Sequence, residues 1–285
     1  NVKYFPKREI SIYDYDAESN DTDYERIEVL KGIYNDKNEI IVTTIEAVMQ
    51  KIIQKEKLFE NVLNLHKESE INMENIKQKL VNLGYERKSL VENRGEFSVR
   101  GDIIDVCSNN KNGIRIELWG DEIDSIREFD LSSQRTIKML DRATIFPATE
   151  NVLEENIDRI IERLQKIDYK EKNINLNEIN EDIEIVKNGN YKQKINKYFN
   201  EFYLNSESIL DYLNDYKIFI DEKEKIEQRI KSIQTDNKNL IKALIEKEKS
   251  VPESLANIQK YKFKVDNYIN LTENDIGENN LRLKE

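Results

Sequence analysis

The sequence predicts an α/β protein in which helical and mixed flanks enclose a compact β-rich middle. Three observations predict it. Five of the eight glycines fall within residues 84–120, and the stretches between them alternate apolar and polar residues, as strands joined by tight turns do. A β-branched apolar run, Glu39-Ile-Ile-Val-Thr-Thr44, stands between two helical patterns, the form of a strand in a parallel layer. From residue 151 onward, apolar residues recur mostly at helical spacing.

In order along the chain, residues 23–33 carry Tyr24, Ile27 and Leu30 three apart and predict a helix. The strand at 39–44 leads into a helix over 44–53, with Ile45, Val48, Met49, Ile52 and Ile53 on one face. Ile76, Leu80 and Leu83 share the face of a further helix that Gly84 stops. Residues 96–106 alternate as a strand. The polar run 108–113 turns the chain, 114–119 returns as a partner strand, and Gly120 turns it again into 123–130. Pro147 closes this unit. Ile157, Ile160, Ile161 and Leu164 predict a helix, and residues 168–196 show only a weak pattern. Residues 217–222 form a short apolar strand ending in two acids, and a long charged helix follows over roughly 223–248.

Composition excludes several functions. The formal net charge is −11, so the chain as a whole has no electrostatic pull on phosphates, and nonspecific nucleic-acid binding is disfavoured. Residues 69–150 are themselves acidic, with 12 Lys and Arg against 15 Asp and Glu. One cysteine, Cys107, excludes an internal disulfide. With one histidine, His66, soft ligands are too few for a structural zinc site. Cys107 reads as a small apolar residue at a strand end, and His66 as a surface residue. No apolar run approaches the ~18–20 residues that span a bilayer, and no signal peptide opens the chain. A cytoplasmic location and a piece of a longer protein are the expectations.

The motifs of common chemistries are missing. There is no G-x-x-x-x-G-K-[ST], G-x-G-x-x-G, G-x-S-x-G or H-E-x-x-H. Asp221 and Glu222, ending the apolar run Ile218-Phe-Ile, have the form of a Walker B pair. Without a phosphate-cradling loop they read as a degenerate pair or as two solvated acids. No catalytic residue, metal or cofactor is expected in this chain.

One long pattern is specific. It runs Arg94-Gly-Glu-Phe-Ser-Val-Arg-Gly-Asp-Ile-Ile-Asp-Val106, then Ile114-Arg-Ile-Glu-Leu-Trp-Gly-Asp-Glu-Ile-Asp-Ser-Ile-Arg-Glu-Phe-Asp130, then Ile145-Phe-Pro-Ala148. This resembles the UvrA-binding domain shared by the excision-repair protein UvrB and the transcription-repair coupling factor (Mfd) family. Phe129–Thr136, Tyr4–Glu9, Tyr13–Ser19 and the pair of segments 208–213 and 217–222 are similar to the coupling-factor branch. UvrB would carry a long Tyr-rich hairpin in its first domain, and here Tyr15 runs within ten residues into the helix at 24–33. The alternative is a fragment of UvrB or a related helicase that binds ATP and DNA.

The resemblance implies a degenerate helicase-like (P-loop NTPase-like) parallel-sheet domain, residues 1–68 and 151–285, with its first portion absent. An α+β UvrA-binding domain, residues 69–150, is inserted in it. It implies a noncatalytic module that recruits UvrA within a protein that displaces lesion-stalled RNA polymerase. The ATP-driven motor and the contacts to RNA polymerase and DNA would lie outside this chain. Another domain of the same protein would cover the UvrA-binding face until the polymerase is engaged.

The residues agree with a binding role. Seven of the thirteen arginines fall within 87–142, where elsewhere the chain prefers Lys. Arginine's planar fork suits interfaces. Arg115, Glu117 and Trp119 alternate on one strand and share a face, with Arg100 expected on the neighbouring strand. By the resemblance, Arg87, Arg100, Arg115 and Glu117 match the UvrA contacts. Two positions depart from UvrB: its Arg is Ser98 here, and its Phe is Leu118. The expected docking set is Arg87, Arg100, Arg115, Glu117, Leu118 and Trp119.

Overall fold

The computed structural model describes residues 1–8, 21–37, 39–108, 111–153 and 156–272. The Tyr13–Ser19 motif lies outside them, as do Glu9 and residues 109–110 of the polar turn. The chain opens with β1 (Val2–Phe5), α1 (Asp21–Tyr34), β2 (Ile40–Thr43), α2 (Ile45–Val48), β3 (Ile52–Ile53) and α3 (Lys55–Glu60). The middle holds β4 (Leu63–His66), α4 (Met73–Asn82), β5 (Glu86–Arg87), β6 (Glu96–Arg100), β7 (Ile103–Val106), β8 (Asn112–Trp119), β9 (Glu122–Asp130), β10 (Thr136–Leu140) and β11 (Arg142–Ile145). Then follow α5 (Ile157–Gln165), α6 (Leu176–Lys187), α7 (Phe199–Phe202), β12 (Ser206–Glu207), α8 (Ile209–Tyr212), β13 (Ile218–Asp221), α9 (Lys223–Glu246), α10 (Glu253–Lys260) and β14 (Tyr268–Leu271). The chain is thus mixed α/β with several sheets.

Two compact units divide these elements. One comprises residues 1–22, 38–52 and 155–285, the other residues 23–37 and 53–154. Residues 23–37 and 53–68, read from sequence with the first segment, belong to the second of these units.

The second unit is built on a six-stranded sheet in the order β10-β9-β8-β7-β6-β5, antiparallel except for the short β5–β6 pair. Residues 96–106, expected as one strand, are two. Gly101, at φ +59, makes the hairpin turn between β6 and β7, a left-handed conformation that glycine adopts without strain. Period two sends Phe97, Ile104, Val106, Ile116 and Ile126 to a buried face. The helix α4 buries Ile76 and Leu80, and the Asn72 side chain caps it by accepting from the amides of Glu74 and Asn75. Gly84 ends it at φ +89, where a Cβ would also overlap Thr149. Arg26 of α1 and Glu150 form a fully buried two-point ion pair (Nε–Oε1 2.8 Å, Nη2–Oε2 3.0 Å).

The first unit carries two parallel strand pairs, β1–β2 and β13–β14. The expected parallel layer is therefore present as two separate two-stranded pieces. The helix expected over 44–53 ends at Val48. Gln50 is held in the interior by the Arg8 backbone, accepting its N–H at 2.8 Å and donating to its carbonyl at 2.7 Å, and Ile52–Ile53 becomes a strand. Tertiary hydrogen bonds override local helix periodicity there. In the weakly patterned stretch, α6 forms, and its buried Asp182 is satisfied by Lys194, Lys197 and Tyr198. The helix α9 packs its apolar stripe on α10 through Leu244, Val251 and Leu255.

Candidate protein-docking face

The face of the six-stranded sheet opposite its core is polar at its centre. The pairing registers place Ser98, Asp105, Arg115, Arg127 and Met139 in one row across β6, β7, β8, β9 and β10. Asp105, with a wholly buried side chain, is the hub. Arg115 donates to it twice, Nε to Oδ1 at 2.6 Å and Nη2 to Oδ2 at 2.9 Å, and Arg100 Nη2 donates to Oδ2 at 2.6 Å. Hydrogen bonding to this carboxylate pushes the Arg115 guanidinium further up. Its plane also lies over the Phe129 ring, 4.5 Å from the centroid. Phe129 fits there because Gly113, opposite it, has no side chain: a Cβ would overlap the ring.

The second carboxylate, Glu117, accepts from Arg127 and from Ser125 Oγ at 2.8 Å. Within this network three guanidiniums pair with two carboxylates, and Glu96 stands on the same face of β6 two residues before Ser98. Arg100 is the more open of the two arginines on Asp105: its side chain is 46% exposed while that of Arg115 is 15% exposed. The Ser98 hydroxyl is buried beside Asp105 and, among the described residues, has no hydrogen-bond partner, nor has Arg127 Nε.

The expected docking residues separate into kinds. Trp119, at the β8–β9 turn, is 83% exposed. Arg87, on the edge strand β5, is exposed, and its register with Phe97 sets it on the side of the sheet away from the polar row, unlike the expectation. Arg100 lies two strands from β8 rather than beside it, and reaches the same face through Asp105 of the intervening β7. Arg115 and Glu117 are half-buried and held by neighbours. Leu118, expected on the docking face, is 5% exposed and belongs to the core. A bulge at Glu117–Leu118 leaves Leu118 opposite Ile123, and period two turns it away from Glu117 and Trp119. On the other edge strand, β10, Ile137 and Met139 are exposed apolar side chains that the sequence reading missed.

Asp105 and Arg127 were missed as well. The signal for Asp105 was present: an acid inside the apolar run Ile-Ile-Asp-Val must find cations when buried. Asp221 is exposed at the end of β13, and Glu222 takes the left-handed conformation at φ +53 ahead of α9. Among the described residues no group of three or more His, Cys, Asp or Glu is placed to hold a metal ion, and no helix is long and apolar enough to cross a membrane.

Residues 63–151 match the UvrB interaction domain. The match to the UvrB interaction domain takes in β4 to β11 and thus the whole polar face. Beyond it, the chain is 30% identical over 261 residues to a transcription-repair-coupling factor of Bacillus subtilis (strain 168), 87% of this chain and 22% of that protein. It is 29% identical over 253 residues to the transcription-repair-coupling factor of Staphylococcus aureus (strain MRSA252), again 22% of that protein. It is 32% identical over 240 residues to UvrABC system protein B of Thermosipho africanus, 77% of this chain and 36% of that protein. The resemblance to coupling factors and UvrB is borne out.

Proposed function

We propose that this chain is the noncatalytic UvrA-recruiting region of a transcription-repair coupling factor, and that the polar sheet face of residues 84–140 receives UvrA. The observation that carries this reading is the exposed Trp119 on a sheet whose polar face also presents the half-exposed Arg100, within the stretch matching the UvrB interaction domain. Aromatic and Arg side chains dominate such hot spots. Trp119 and Arg100 meet the partner directly, and Arg87 does so only from the β5 edge. Arg115 and Glu117 hold the face in shape and present their exposed edges, and Leu118 packs in the core outside the contact surface. The first unit is read as a degenerate helicase-like domain. Displacement of RNA polymerase, ATP turnover and DNA contact belong to other regions of the longer protein.

Calorimetric titration of the chain with UvrA tests this. Trp119→Ala and Arg100→Ala should each weaken binding by ~2 kcal/mol, about 30-fold, with melting unchanged in Trp119→Ala and lowered by no more than a few degrees in Arg100→Ala. Wild-type affinity in both variants overturns the assignment. The identity to UvrABC system protein B favours a second reading, a nucleotide- and DNA-binding helicase fragment. Saturable ATP binding by this chain would support it, against the net charge of −11 and the missing phosphate loop.

A further inference from the structure

The six-stranded sheet has an apolar edge that its polar row does not explain. Met139 stands opposite Arg127 of β9, and Arg127 opposite Arg115 of β8, so the Met139 side chain shares the polar face. It is 62% exposed. Ile137 is exposed as well. Thr136 pairs with Phe129 and Lys138 with Glu128, which are neighbours on β9, so Ile137 is the extra residue of a bulge. Among the described residues the second unit exposes four large apolar side chains, and three of them, Trp119, Ile137 and Met139, belong to this one sheet. Single exposed apolar residues are ordinary, whereas a group on one surface marks a contact.

Area and composition say in which direction the contact runs. From β6 to β8 is two strand spacings, ~10 Å, and the eight residues of β8 run ~27 Å, a strip of roughly 270 Å². A specific protein contact buries ~800 Å² on each partner. The strip bearing Arg100, Arg115 and Trp119 must therefore widen toward one edge. Toward β5, Glu86 and Glu96 stand in register and Arg87 faces the other side. Toward β10 lie Arg127, Met139 and Ile137. Met and Arg are enriched at contact centres and Glu is depleted there. The backbone edge of β10 is guarded, since Lys138, held 2.9 Å from Glu128, and the bulge both hinder pairing with a further strand. A partner thus meets the side chains of β10 rather than its edge amides.

We propose that the surface receiving UvrA crosses β9 and ends on β10, where Met139 and Ile137 enter an apolar patch of UvrA. This rests on the assignment of UvrA to the polar face and adds the residues and chemistry of its far side. Trp119 and Arg100 anchor one flank, and the unbranched, adaptable Met139 fills the other.

Calorimetric titration of the 285-residue chain with UvrA tests the extension. The double variant Ile137→Ala with Met139→Ala should bind at least tenfold more weakly, with a less negative heat-capacity change, because less apolar surface is buried. Val81→Ala, which trims the fourth exposed apolar side chain, on α4, should bind as the native chain does. A Met139→Cys variant should react with a thiol reagent rapidly in the free chain and at least tenfold more slowly under saturating UvrA, while the native Cys107 is buried. Native affinity in the double variant, with the thiol unprotected, overturns the extension, and Trp119→Ala and Arg100→Ala then judge the UvrA assignment separately. Native affinity in all of these variants overturns both. A concentration-dependent dimer of the chain alone that shields the same thiol also overturns the extension, because a second copy is then the occupant of β10.

Discussion

Replacing Asp105 with Asn removes a charge and almost no volume, which makes it a clean perturbation of the docking face. The carboxylate accepts three charge-assisted hydrogen bonds at 2.6, 2.6 and 2.9 Å. Breaking a fully buried ion pair costs ~3–5 kcal/mol. Here water reaches Arg100 and part of Arg115 and recovers some of their solvation, which lowers the figure to about 2–3 kcal/mol. The Asn amide would also turn an N–H₂ toward guanidinium donors. For a unit of this size the loss corresponds to a drop in melting temperature of about 10 °C. Arg100→Ala leaves the two-point Arg115 pair intact and costs ~1 kcal/mol or less. Urea unfolding followed by far-ultraviolet circular dichroism suits the measurement, since the single Trp119 is exposed in the native state and reports little by fluorescence. An Asp105→Asn midpoint equal to that of Arg100→Ala would refute Asp105 as the hub.

Two further outcomes are expected. Glu150→Gln should destabilise the second unit by ~3–5 kcal/mol, because the Arg26 guanidinium is left buried without its carboxylate. The double replacement Arg26→Met with Glu150→Leu should cost less than Glu150→Gln alone, and a double variant at least as unstable would contradict this. Burial pushes the Glu178 carboxyl up, but hydrogen bonds from Ser250 and Lys197 outweigh it and hold the group at about 2. A lowered carboxyl binds its proton more weakly in the folded state, so its contribution is present above the ordinary value of 4.5 and is lost as pH falls through about 2. Denaturation midpoints across that window should fall more steeply for the native chain than for Glu178→Gln, and parallel profiles would count against the pairing.

The fold was legible where local rules act alone. Gly84, Gly101 and Gly120 mark turns because they sit at positive φ. The α4 stripe and the charged α9 follow helical periodicity, which depends on neighbours three and four residues apart. The helix expected over 44–53 failed because Gln50 is held by Arg8, 42 positions away, a contact no local pattern contains. The docking face divides in the same way. Alternation along β8 placed Arg115, Glu117 and Trp119 together. The order of strands, and therefore which charges meet, depends on long-range pairing.

From its sequence alone, this protein is an acidic α/β chain with an arginine-bearing β-rich middle that resembles the domain shared by UvrB and the coupling factors, since residue type, spacing and turn chemistry are local properties. Tertiary structure alone decided that Asp105 gathers Arg100 and Arg115, that Arg127 takes Glu117 and that Trp119 projects. Burial and partner choice arise when residues distant in sequence are brought onto strands ~4.8 Å apart, and charges in an interior of low polarity settle on whichever counter-ion the sheet brings them.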